Sequence, residues 1–230
     1  MPDLLELEDV HTDIGQHHIL QGVSLRVRPD AVTVLLGRNG AGKTTTMRTI
    51  MGVLRPRRGT VRFDGWPIHA LAPHAIARLG IGYVPEGQGI FATLTVDENL
   101  RVAMLAETAE SRDRLRRALA LFPDLARSRH ARAGTLSGGQ KQMLAIARAF
   151  VNPTRLLLID EPSKGLAPIV IEHLIAALAA MKEHATVVLV EQNFAMASRL
   201  GDDCYVMDDG RTVYAGPMAA LAADRALKRR

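Results

Sequence analysis

Gly37-Arg38-Asn39-Gly40-Ala41-Gly42-Lys43-Thr44 has the Gly-x-x-x-x-Gly-Lys-Ser/Thr spacing of a phosphate-cradling loop. The residues on either side supply the context such a loop needs. Residues 31–36, Ala-Val-Thr-Val-Leu-Leu, are an apolar, β-branched run that reads as a strand, and residues 45–51, starting Thr45-Thr46-Met47, continue as a helix. Glycines let the backbone curl round an anion with its N–H groups inward, and a helix N-terminus adds about half a positive charge at the same spot. In such a loop Gly37, Arg38, Asn39, Gly40, Ala41, Gly42 and the following Thr45 would cradle nucleotide phosphates. Lys43 would reach the terminal phosphates, and the Thr44 hydroxyl would ligate Mg²⁺. The bland reading of the same letters is an ordinary glycine-rich strand-to-helix turn.

A second run bears on that choice. Arg155-Leu156-Leu157-Leu158-Ile159-Asp160-Glu161 is an apolar strand ending in two carboxylates, at the edge where a parallel sheet presents its ligands. Asp160 would hold Mg²⁺ directly or through water, and Glu161 would take the proton of an attacking water, a role worth about 10²–10⁴ in rate. Two acids before a turn at Pro162 also describe ordinary surface charge; beside a phosphate loop, the functional reading wins.

Composition bounds the rest. The 230 residues suit one large domain with room for an embedded subdomain, and 47% hydrophobic content suffices to bury a core. The one cysteine, Cys204, cannot form an internal disulfide, in keeping with a reducing compartment. No charged-then-apolar leader opens the chain, and the longest apolar stretches, residues 174–181 and 185–190, fall far short of the roughly 20 residues of a membrane span. Membrane association is therefore expected to go through a partner. The net charge is +5, with basic clusters at residues 55–58, 112–117, 127–132 and 228–230. These are interspersed with acids and lack interleaved aromatics, which favours solvated faces or attraction to an anionic membrane over nucleic acid.

Along the chain, residues 4–10, 22–28 and 60–63 read as strands, with Pro29-Asp30 and Asp64-Gly65 as turns, and predict a small antiparallel layer beside the nucleotide. Ile81-Gly82-Tyr83-Val84 is a buried strand ending at Pro85. Thr95-Val96-Asp97-Glu98 has capping-box spacing and should start a helix with Leu100, Met104 and Leu105 on one face. Residues 111–130 predict a second, arginine-rich helix with Leu115, Leu119 and Phe122 apolar. No strand pattern occurs from 95 to 152. Strand 155–160, helix 168–183, strand 185–190 and helix 194–200 then alternate, and Asp208-Asp209-Gly210 joins a closing hairpin. The expected fold is α/β, a mostly parallel core sheet with an antiparallel β layer and an inserted helical region. Residues 1–230 form one domain, with 87–153 as the embedded helical subdomain.

Leu136-Ser137-Gly138-Gly139-Gln140 stands immediately before a predicted long helix, 141–151, stopped by Asn152-Pro153. Ser137 would cap a helix whose N–H groups and dipole favour an anion. With this pentapeptide, the chain resembles the ABC ATPase family over essentially its whole length, with phosphate loop, loop at 86, signature and acidic strand in the family's order. The resemblance implies a P-loop NTPase of the ABC ATPase type that binds ATP and Mg²⁺. Ser137, Gly138, Gly139 and Gln140 of one copy would face the γ-phosphate held by a second copy, identical or paralogous. It also implies a permease in the membrane, a solute-binding protein acting on it from outside, and a position peripheral on the inner face of the cell membrane.

Departures from the general family pattern point to one branch. Glu86 stands at the position usually filled by Gln, where it would serve Mg²⁺ or water; Gln192 replaces the switch His; and Ala167 replaces the Asp of the loop after the acidic strand. Val84-Pro85-Glu86-Gly87, Gly165-Leu166-Ala167-Pro168 and Val190-Glu191-Gln192-Asn193 together are similar to the ATPase subunits of branched-chain amino-acid importers. The resemblance thus assigns catalysis to Glu161, Gln192 and Glu86, and the metal to Thr44, Glu86 and Asp160. Ile14-Gly15 fills the place of the adenine-stacking aromatic, so Ile14 should give apolar contact without the full stacking energy. The rival readings are a soluble ABC ATPase acting on nucleic acid, a subunit for another solute such as amides or urea, a P-loop kinase or GTPase, and a domain that binds ATP without turning it over. His17, His18, His173 and His184 do not match the switch position and read as surface histidines.

Overall fold

The computed structural model describes residues 2–223. The basic cluster expected at 228–230 lies outside them.

Six strands form the central sheet. β3 (Val32–Gly37), β6 (Ile81–Val84), β7 (Leu156–Asp160), β8 (Thr186–Glu191) and β9 (Asp203–Asp208) run parallel, and β10 (Arg211–Pro217) adds an antiparallel edge, in the order β10-β9-β3-β8-β7-β6. The central strands β3, β7 and β8 read as nearly unbroken apolar runs because both their faces are covered. Leu157, Ile159, Val187 and Leu189 enter one core together with Val32, Val34 and Leu36. Their neighbours Leu156, Leu158, Val188 and Val190 enter the other with Leu35.

The second core is closed by an antiparallel sheet, order β2-β1-β4-β5, built from β1 (Leu5–Ile14), β2 (His17–Val27), β4 (Arg58–Phe63) and β5 (Trp66–Pro67). Helix α1 (Lys43–Ile50) fills the space between the sheets with Met47 and Ile50. The first core is covered by α6 (Gly138–Phe150), α7 (Pro168–Met181) and α8 (Phe194–Leu200). Two short helices complete the chain, α2 (Pro73–Arg78) before β6 and α9 (Met218–Ala223) after β10.

Between β6 and β7 the described residues form only helices, turns and one isolated Thr95–Arg132 bridge. α3 (Val96–Ala103) starts at the expected capping box: the Glu98 N–H donates to Thr95 Oγ1 at 3.2 Å, and the Thr95 N–H donates to Glu98 Oε2 at 2.7 Å. It ends sooner than the apolar spacing suggests. Leu100 is buried, but Met104 is the extended C-cap and Leu105 lies outside the helix, 59% exposed, with its N–H on Asn152 Oδ1 at 2.8 Å. The single helix expected over 111–130 is two, α4 (Ala109–Leu121) and α5 (Pro123–Arg127). Pro123 has no N–H to continue the first helix and is suited to open the second. Phe122, at the joint, is 2% exposed.

Smaller departures concern element ends. The strand expected from residue 22 begins at His17, and the helix expected from 141 begins at Gly138. The closing hairpin turns on Asp209 (φ 42°) and Gly210 (φ 72°), the left-handed pair that matches strand twist in a two-residue turn.

Candidate active site

The C-terminal ends of β3, β7 and β8 form one rim, and the strand order explains what meets there. β8 lies between β3 and β7, with Leu36 opposite Glu191 and Val190 opposite Asp160. Whatever follows β8 therefore stands between the loop after β3 and the acids at the end of β7.

The loop after β3 makes two demands that only glycine meets. A Cβ on Gly37 would lie 2.5 Å from the Met207 carbonyl oxygen, and Gly42, at φ 100°, has Leu20 packed where a Cβ would come within 2.9 Å. Gly42 is also the N-cap of α1, and no side chain caps it, so the first N–H groups of the helix face the loop. Lys43 is 4% exposed; its Nζ donates to the Gly37 carbonyl at 2.7 Å and the Arg38 carbonyl at 3.0 Å, and stands 3.3 Å from Glu161 Oε1. Asn39, Gly40, Gly42, Lys43, Thr44 and Thr45 line a cleft of about 310 Å³ with Glu86 and Glu161.

Thr44 Oγ1 donates to Asp160 Oδ1 at 3.2 Å, and Tyr83 Oη donates to Asp160 Oδ2 at 3.4 Å. Asp160 is wholly buried, and burial pushes its carboxyl up; the two hydroxyls pull it down, while the nearby Glu161 and Glu86 charges push it further up. A buried carboxylate beside two more acids and a threonine hydroxyl is a donor set that a hard cation would relieve. Thr44 and Asp160, with Glu86 at the edge of the cleft, are the residues that would hold Mg²⁺. Among the described residues no group of three or more His, Cys, Asp or Glu side chains could hold a metal ion by itself. Such an ion would neutralise charge on the phosphates.

Glu161 is 8% exposed and adopts φ 48°, a left-handed conformation uncommon outside glycine and asparagine. Burial alone would push its carboxyl up. The Gln192 amide, donating from Nε2 to Oε1 at 2.7 Å, and the Lys43 ammonium outweigh that, so the carboxyl sits below its ordinary range and is ionised at neutral pH. The same Gln192 nitrogen reaches Asn39 Oδ1 at 2.5 Å. Gln192 thus spans the gap between the phosphate loop and the acidic strand, as the strand order requires.

Glu86 is brought to the same cleft from the far side. It is 44% exposed and pairs with Lys164 Nζ at 2.6 Å; the same ammonium lies 3.7 Å from Glu161 Oε2. Ile14 is not brought in: it is 41% exposed at the tip of the β1–β2 hairpin, and Ile19 of that hairpin lines the cleft instead. Ser137, Gly138, Gly139 and Gln140 do not line the cleft either. They open α6, where the Gln140 N–H donates to Ser137 Oγ at 3.3 Å and the Ser137 N–H donates to Gln140 Oε1 at 3.0 Å. The cap is therefore reciprocal, a Ser-x-x-Gln box that its spacing encodes. Gln88 joins it to the Glu86 loop through the Gly138 carbonyl at 3.4 Å.

Sequence reasoning missed Tyr83, Lys164, Ile19 and Glu191. Only Glu191 carried a signal, a charge closing an otherwise apolar strand. His17, His18, His173 and His184 are exposed, as expected. Much of the arginine surplus is locally balanced: Arg57 pairs with Asp13, Arg58 with Asp9, Arg116 and Arg117 with Asp113, and Arg129 with Asp97.

A glycine-rich strand-to-helix loop, a buried acid at the neighbouring rim and a threonine joining them define a P-loop nucleotide-binding domain. The sequence profile described as ABC transporter matches residues 20–164, and the chain belongs to that family; it is an ATPase that powers transport. It is 40% identical over 220 residues to the high-affinity branched-chain amino acid transport ATP-binding protein BraG of Pseudomonas aeruginosa, covering 95% of this chain and 94% of that one. It is 37% identical over 202 residues to the probable branched-chain amino acid transport ATP-binding protein LivF of Archaeoglobus fulgidus, 86% of each. A solved ATP-binding subunit of an ABC transporter superposes with a TM-score of 0.84 at 31% identity, covering 99% of this chain and 95% of that one. An ATP-binding cassette in its ADP conformation gives 0.87 at 24% identity, covering 100% and 98%, a likeness of fold.

Proposed function

We propose that this chain is the ATP-hydrolysing subunit of an importer for branched-chain or related hydrophobic amino acids, peripheral on the cytoplasmic face of the membrane and working as a pair. Glu161, oriented by Gln192, takes the proton of the attacking water; Lys43, Thr44 and the loop amides hold the phosphates; Thr44, Asp160 and Glu86 serve Mg²⁺. The observation that carries the reading is the near full-length match to two branched-chain amino acid transport subunits, joined to a Glu161–Gln192–Asn39 bridge within the cleft.

Pairing is supported by the separation of Ser137–Gln140 from the cleft: one chain has both halves of a nucleotide site, and they do not meet. Residues 87–153 act as the helical subdomain that carries the signature. A permease would dock in the cleft of about 540 Å³ between β6, the Glu86 loop, α3 and α6, lined by Tyr83, Gln88, Leu105 and Arg148. Among the described residues no helix is long and apolar enough to cross a membrane, so contact with the bilayer would run through that partner.

The test is to co-express the chain with candidate permease subunits and a solute-binding protein, purify the assembly and follow ATP hydrolysis. Leucine-loaded binding protein should stimulate turnover, and Glu161→Gln should cut it by about 10²–10⁴ while ATP still binds. Stimulation by an amide or urea instead would reassign the solute. Unchanged turnover in Glu161→Gln would remove that residue from the mechanism.

A further inference from the structure

Glu191 ends β8 on the rim of the site, 2% exposed, and its carboxylate is the junction of two loops. Oε1 accepts the Ser163 N–H at 3.0 Å. Oε2 accepts the Ser163 hydroxyl at 2.9 Å and the N–H groups of Gln192 and Asn193, each at 3.2 Å. Two donors come from the turn after Glu161 and two from the loop carrying Gln192.

We infer that Glu191 is a positioning residue: it locks the turn after Glu161 to the loop after β8, and thereby keeps the Gln192 amide on the Glu161 carboxylate. Three observations carry this. No ion pair to Glu191 occurs among the described residues, so its charge is met by neutral donors alone, an arrangement that packing does not require when Val187, Val188, Leu189 and Val190 fill the rest of the strand. Burial leaves its carboxyl above the ordinary range even though Ser163, Asn193 and Gln192 pull it down, so these donors offset only part of the cost of a charge here and removing one should be felt. Glu161 is in a left-handed conformation that the chain must hold in place; its own N–H is fixed to the Val190 carbonyl at 3.0 Å, and the next anchor along the turn is Ser163 on Glu191.

The inference rests on the proposed pairing of Glu161 with Gln192, and the test separates the two. ATP hydrolysis by the full chain is measured for wild type, Glu191→Gln, Gln192→Ala and the double variant, with folding checked by thermal melts. Glu191→Gln should lower kcat about ten- to a hundredfold with KM for ATP unchanged, because only geometry at the reacting water is lost. The double variant should be no slower than the slower single variant, since both act through one contact. Multiplying losses, or a raised KM with kcat intact, would overturn the inference. Wild-type turnover in Gln192→Ala would instead sink the role given to Gln192. Should Glu191→Gln fail to fold, Ser163→Ala removes one donor and leaves the charge; a lower kcat at constant KM is expected there too, and wild-type kinetics would count against Glu191.

Discussion

To act as the proposed base, Glu161 has to be ionised and yet be released from its neighbours. Lys43 at 3.3 Å, Gln192 at 2.7 Å and Lys164 at 3.7 Å all hold it as a carboxylate. A phosphate entering the loop would compete for Lys43, loosening one of the three. A base seated on the β1–β2 hairpin tip would find only the aliphatic Ile14 there, outside the phosphate cleft. Ile14→Tyr should tighten ATP about five- to tenfold, part of the roughly 1–3 kcal/mol of base stacking. Equal dissociation constants by titration calorimetry would show that the base is held elsewhere, with Ile19 the first alternative. Lys43 and Thr44 were legible in the sequence because a strand-loop-helix motif fixes its own geometry over a few residues, and Asp160 and Glu161 because two acids close an apolar strand. Tyr83 was not: it meets Asp160 across 77 positions, a contact that only the β6–β7 pairing creates.

At the level of elements, α6 and α7 touch through the signature itself. Gly139 is buried in the first turn of α6, and a Cβ there would come within 2.5 Å of Val170 Cγ1 on α7. Val170 branches at Cβ and has little freedom to yield. Gly139→Ala should therefore cost about 1–3 kcal/mol in urea denaturation, and Val170→Ala in the same chain should recover part of it. Additive losses would show that the contact is not what the glycine serves. Helix existence was readable from apolar spacing and caps, as Thr95 and Glu98 show. Helix ends were less so: Leu105 fits the period of α3 but is pulled out by Asn152, a partner 47 residues on.

For the molecule as a whole, the two cores on either side of one sheet leave Cys204 sealed in β9. Burial, with the Asp203 charge beside it, pushes the thiol up to about 11 from an ordinary value of 9.0. The folded state favours the neutral thiol, so this contribution to stability is complete below pH 9 and is lost as pH rises through about 11. In native protein at pH 8 a thiol reagent should modify Cys204 only as fast as the chain unfolds. The urea midpoint should also fall more steeply between pH 9 and 11 in wild type than in Cys204→Ala. Rapid native-state labelling would show that β9 opens on its own.

The strand order also dictates when the molecule can be made. Val32 pairs with Val187 on one side, and Thr33 with Asp203 on the other, so the strand feeding the phosphate loop has no sheet partner until β8 and β9, about 150 residues later, have left the ribosome. At about 5–20 residues per second, on the order of ten seconds pass between synthesis of β3 and synthesis of its neighbours. During that wait β1, β2 and β4 can pair locally, while an apolar strand stands open. The sheet that carries the nucleotide site thus closes only after β8 and β9 have been made.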